Sequence, residues 1–124
     1  MVLRLGGLYC HHRGPLAALR RRGAPPPGPP DRILPLVHYA DAATAVIAAL
    51  CHPAPQPTYH VVVPPCPTRR AFYELACRWL GLPPPAFDLP LGHPPAAYDV
   101  TRLRRDLLPA PRYPDWRQGL WQAD

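Results

Sequence analysis

A chain of 124 residues with 48% apolar side chains has material for one domain and a modest core, which excludes both a multidomain enzyme and a disordered tail. Its 22 prolines confine regular structure to the stretches between them, because each fixes φ and removes a backbone donor. All 14 basic residues are arginine against 8 acidic ones, with no lysine or asparagine; this is the bias of a GC-rich coding sequence, so the net charge of +6 does not by itself argue for a polyanion partner.

Val2 to Tyr9 is apolar and β-compatible around Arg4, with Gly6 and Gly7 allowing close backbone approach, and predicts a strand. A strand that starts almost at Met1 lacks the neighbour an α/β sheet supplies, so we read it as a hint of truncation. A loop over 10–14 leads to Pro15, well placed as the first residue of a short helix with Leu16, Leu19 and Arg20. A proline-rich loop over 23–30 follows, then an extended segment, Ile33 to Val37. Asp41 is the predicted N-cap of an alanine-rich helix, Ala42 to Leu50, apolar nearly all round and therefore expected to lie between layers. Tyr59 to Val63 is the best strand, a β-branched run suited to a buried parallel sheet. Thr68 then caps a helix over Arg69 to Leu80, with Phe72, Leu75, Ala76, Trp79 and Leu80 on one face and Gly81 and Pro83 to stop it. A second proline-rich loop spans 83–97. Asp99 or Thr101 caps a short helix through Leu107 or Leu108, and a final helix begins at Pro114, with Trp116 and Leu120 one turn apart.

Five segments carry a resemblance in their order: VLRLGGLY at 2–9, LVHYADAATAVIAAL at 36–50, TYHVVV at 58–63, PTRRAFYELACRWLGLPPP at 67–85 and YDVTRLRRDLLPAPRYPDWRQGL at 98–120. Together they are similar to the second half of NAD(P)-dependent epimerases and dehydratases of the extended, and especially atypical, short-chain dehydrogenase/reductase type. The resemblance implies an α/β fold: the C-terminal part of a Rossmann-type extended short-chain dehydrogenase, few strands with several helices, the cofactor-binding half absent. Residues 1–124 would form one partial domain on the substrate side.

The family holds its dinucleotide on a glycine-rich turn and moves a proton with a tyrosine and a lysine four positions later. Here Gly6 and Gly7 are adjacent and lysine is absent, while Tyr9 and Arg13 repeat the spacing with a guanidinium that cannot relay protons. No catalytic, cofactor-binding or metal-binding residue is therefore assigned. NAD or NADP is implied only for a full-length family member.

Tyr9, at the strand end that faces substrate in the family, Arg13 in the loop behind it and His38 beside the cleft are the substrate-binding candidates that the resemblance implies. Cys10, His11 and His12 stand where the family has glycine, proline and glycine. With His38 or His60 they suggest a metal site, but adjacent ligands do not readily reach one ion and no C-x-x-C or H-x-x-x-H spacing supports it. Cys10, Cys51, Cys66 and Cys77 read as thiols of a reducing compartment, and no run is long enough to span a membrane, so the expected location is the cytoplasm. Arg20 to Arg22 and the set Arg102, Arg104 and Arg105 are able to meet phosphates, though a solvated basic face is the simpler reading. The expected partners are a small-molecule substrate, a nucleotide sugar among the options, and a missing Rossmann half or separate Rossmann partner. Two alternatives stay open: a non-catalytic module that docks on such a partner, and an arginine-rich polyanion binder.

Overall fold

The structure, a computed structural model, describes residues 1–87 and 98–121; the predicted loop at 83–97 lies largely outside them. The opening apolar segment divides in two. Strand β1 (Val2–Leu5) runs parallel to the later segment Thr58–Val61, with Leu3 opposite Tyr59, and β2 (Gly7–Tyr9) runs parallel to β3 (Leu36–His38), with Tyr9 opposite His38. The changeover is a matter of two consecutive N–H groups: Gly6 donates to Val61 O and Gly7 to Pro35 O. A Cβ at Gly6 would lie 2.9 Å from Pro35 O and 3.2 Å from Val62 Cγ2, so only glycine lets the three backbones approach this closely.

Helix α1 (Pro15–Arg22) starts on its proline and ends at Gly23, in the left-handed conformation with its N–H on Leu19 O. Helix α2 (Tyr39–Cys51) starts three residues earlier than the sequence suggests, because His38 and not Asp41 is its cap. His38 is extended, and its Nδ1 accepts from Ala40 N at 3.0 Å. Asp41 lies inside the first turn and bonds elsewhere. The expectation that α2 is covered all round also needs correction. Ala42, Ala45 and Ala49 are buried, whereas Ile47 is 63% and Leu50 78% exposed, with Val46 also open to solvent.

Strand β4 (Thr58–Val61) ends two residues before its β-branched run does, and Val62 and Val63 continue as buried irregular chain. Helix α3 (Arg69–Leu80) has the bounds its sequence predicts. Thr68 Oγ1 accepts from Ala71 N at 3.1 Å, and left-handed Gly81 closes the other end, where Leu82 N reaches Cys77 O. In α4 (Thr101–Asp106) the cap position is Val100, while Asp99 Oδ1 accepts from Thr101 N in a local turn. Helix α5 (Trp116–Trp121) is the last element.

Among the described residues the buried apolar side chains form two clusters. One joins the alanines of α2 to Tyr59 and the valines of 61–63, and to Leu103, Leu107 and Leu108. The other joins Tyr9, α1, α3 and α5 through Phe72, Tyr73 and Trp116. No described helix is long and apolar enough to cross a membrane, and none of the four cysteines is joined to another in a disulfide.

Candidate functional site

Tyr9 and His38 are the last residues of adjacent parallel strands, which brings two of the three predicted site residues into direct contact. Their rings meet edge to face, with centroids 5.3 Å apart. On its other side His38 stacks on Tyr113, at 3.9 Å and 27°. Both Tyr9 and His38 are buried, beneath Tyr113 and α5. Arg13, the third candidate, is exposed on the loop after β2, where a short backbone bridge pairs it with Cys10.

Three contacts hold the covering segment in place. The buried Asp41 carboxylate accepts from Arg112 N at 2.7 Å and from Tyr113 N at 3.0 Å, so the one acidic group in the first turn of α2 fastens a segment about seventy residues away. These are charge-assisted bonds to backbone donors, the strong kind. Eight residues further on, His11 Nδ1 lies 2.8 Å from Leu120 O. Between them the hydroxyl end of the Tyr9 ring abuts Gly119, where any Cβ would collide with it, the nearest carbon contact being 2.6 Å. Burial pushes the Tyr9 phenol far above its ordinary value, and the Asp41 charge adds to the effect. The neutral phenol is favoured, and Tyr9 packs between His38 and Gly119.

A second polar constellation lies on the opposite cluster. Tyr59 donates to Asp106 Oδ2 at 2.8 Å and accepts from Gln56 N, while Arg105 grips the same carboxylate with Nε on Oδ1 at 2.7 Å and Nη2 on Oδ2 at 3.1 Å. The Arg105 and Tyr59 bonds hold the Asp106 carboxyl down at about 2. Beside it a cleft of about 270 Å³ is lined by Thr58, Tyr59, His60, Asp99, Arg102 and Leu103.

No group of three His, Cys, Asp or Glu among the described residues is placed to hold a metal ion, and Cys10 Sγ and His12 Nδ1 lie 3.8 Å apart as a local contact. Three of the described glycines are closed by their own neighbours. Gly6 and Gly7 are packed on Pro35, and Gly14 turns the chain back on Leu8 O, so none offers the open backbone N–H cradle that a pyrophosphate needs. Tyr113 and Gly119, which complete the site, were within reach of the sequence only as members of the closing segment at 98–120; nothing local marked them as neighbours of Tyr9.

No family model matches the chain, and no curated protein matches it. Solved structures do. UDP-glucose 4-epimerase from Thermotoga maritima, solved with UDP-glucose, superposes with a TM-score of 0.73 at 17% identity, over 95% of this chain and 42% of that one. DesIV, a dTDP-glucose 4,6-dehydratase from Streptomyces venezuelae with NAD bound, gives 0.70 at 19% over 95% and 40%. MoeE5, in complex with UDP-glucuronic acid and NAD, gives 0.69 at 19% over 95% and 43%. The chain has the fold of part of a Rossmann-type extended short-chain dehydrogenase. It spans under half the length of these structures.

Proposed function

We propose that this chain forms the substrate side of an NAD(P)-dependent epimerase/dehydratase-like oxidoreductase, and that a Rossmann half, in the same polypeptide or a separate one, supplies the cofactor and the proton-transfer residues. The observation that supports this reading is the Tyr9–His38 pair at the carboxyl ends of two neighbouring parallel strands, the end at which α/β sheets receive ligands. Buried under Tyr113 and α5, the pair acts as a rigid base for the site, and Arg13, exposed on the adjoining loop, offers a guanidinium to substrate phosphates. The substrate class is a small molecule of the nucleotide-sugar kind, as in the complexes of the similar structures.

The experiment is a ligand-detected NMR titration with UDP-glucose, on the chain alone and on the chain reconstituted with a glycine-rich Rossmann half. The reading expects binding in the reconstituted form, weakened about tenfold by Arg13→Ala, the loss of one charge-assisted contact. No binding in either form overturns it.

A second reading rests on a different observation. The exposed Val46, Ile47 and Leu50 of α2 and the exposed Val2 and Leu5 of β1 are apolar surface of the kind a partner covers, and β1 belongs to a two-stranded parallel pair, an arrangement rarely stable without further strands. A module that docks on a Rossmann partner without catalysis accounts for both. Reconstitution that buries these residues yet brings no nucleotide-sugar binding selects it.

A further inference from the structure

We infer that the outer edge of β4, with the cleft beside it, is a docking site for an extended acidic peptide of another protein, which adds to the sheet as a further strand. The site does not rest on the reading given for Tyr9 and His38, which belong to the other strand pair.

Among the described strands β4 has one neighbour, β1. The backbone bonds at the two ends of that pairing, from Val2 N to Pro57 O and from Gly6 N to Val61 O, turn the odd-numbered residues of the segment towards β1. Successive residues of a strand direct their N–H and C=O to opposite edges. Those of Thr58 and His60 therefore lie along the outer edge, where no described backbone group meets them. Such a row of alternating donors and acceptors is matched in spacing by another extended backbone.

The edge opens into the cleft of about 270 Å³, with Thr58, Tyr59 and His60 on one side and Asp99, Arg102 and Leu103 on the other. Three residues of strand span about 10 Å, so the cleft takes about three residues of an extended chain. Its walls are set in advance: the Tyr59 hydroxyl is held by Asp106 and Gln56 N, and Leu103 is buried. Charge selects the occupant. Arg102 is exposed and joined in no ion pair to a described carboxylate, and Arg4 lies directly opposite His60 in the strand register, on the same face of the pair. Asp99 is the one carboxylate in the lining, and it already accepts from Thr101 N at 3.0 Å. Two guanidiniums against one engaged carboxylate favour an acidic peptide over a basic one.

The test is fluorescence anisotropy of the full chain with a short labelled peptide of alternating valine and glutamate. Binding is expected, and it should vanish when every backbone amide of the peptide is N-methylated, which removes the donors and leaves side chains and charge unchanged. It should weaken about tenfold when glutamine replaces the peptide's glutamates, and by a similar factor in Arg102→Gln, the loss of one charge-assisted contact. Arg102 is exposed, so its substitution does not endanger the fold, and Arg104→Gln, an exposed arginine of α4 outside the cleft, is expected to bind as the parent chain does. No binding, equal binding of the methylated and unmethylated peptides, or equal weakening in Arg104→Gln and Arg102→Gln overturns the assignment. So does a dimer of the chain in sedimentation that the peptide fails to dissociate and that His60→Pro abolishes, because the edge then belongs to a second copy.

Discussion

The two hydrophobic clusters differ in how they are closed. The aromatic one is sealed on itself: Tyr9, Phe72, Tyr73 and Trp116 interlock, and α5 lies over them with Gly119 against the Tyr9 ring. In the aliphatic one the helix α2 is covered on a single side, with its small alanines in the cluster and the larger Val46, Ile47 and Leu50 facing out. Shape explains the contrast. Large planar rings fill space in three directions around a few backbone contacts, whereas an alanine stripe allows close helix approach and leaves the larger residues of the same helix for another surface.

If the aromatic cluster is the self-sufficient one, the largest loss comes from its centre. Phe72, fully buried between Tyr73 and Trp116, is expected to cost about 3–5 kcal/mol as Phe72→Ala in urea unfolding, enough to leave much of the chain unfolded. Asp41→Ala should cost about 2–3 kcal/mol, since it leaves two backbone donors without their carboxylate, and trypsin should then cut faster at Arg112 and Arg117 while α3 persists. Gly119→Ala is expected to cost about 1–3 kcal/mol by overpacking against Tyr9, with partial recovery when Tyr9→Leu is combined with it.

Acid separates the clusters differently. The folded value of Asp106, about 2, lies below its ordinary 3.8, so its contribution is complete above the ordinary value and is lost as pH falls through about 2. An acid titration should loosen the Tyr59 side as pH falls towards about 2, and Asp106→Asn should remove that step. The smallest change in stability is expected from Ile47→Gln with Leu50→Gln, within about 0.5 kcal/mol, because neither side chain is covered. The same double variant should clearly improve solubility in light scattering. A loss of stability comparable to that of Gly119→Ala would mean that the outer face of α2 is packed after all, and the contrast between the clusters would fall.

Much of the fold was legible because it depends on neighbours a few residues apart. Thr68, Gly81 and the apolar face between them specify α3 to the residue, and Pro15 specifies the start of α1, since caps and φ restrictions act within one turn. Tyr9 and His38 were singled out by the order of five segments that resemble the extended short-chain dehydrogenases, and the structure sets them side by side. Asp41 shows where such reading stops. By local rules it is a helix cap, and its carboxylate instead bonds Arg112 and Tyr113, a pairing no pattern near residue 41 announces. Arg69 is similar: one of 14 arginines in the sequence, it becomes a buried cation only because a proline-rich loop folds over it.

By itself, then, the amino-acid order determined where the helices lie, both ends of α3 and the α/β character of the chain, through interactions that close within four or five residues. Only tertiary structure decided which strand edge pairs at Gly6, which face of α2 is covered and which polar groups are buried. Those outcomes depend on contacts between segments tens of residues apart, where desolvation and shape select among partners that local preference leaves equivalent.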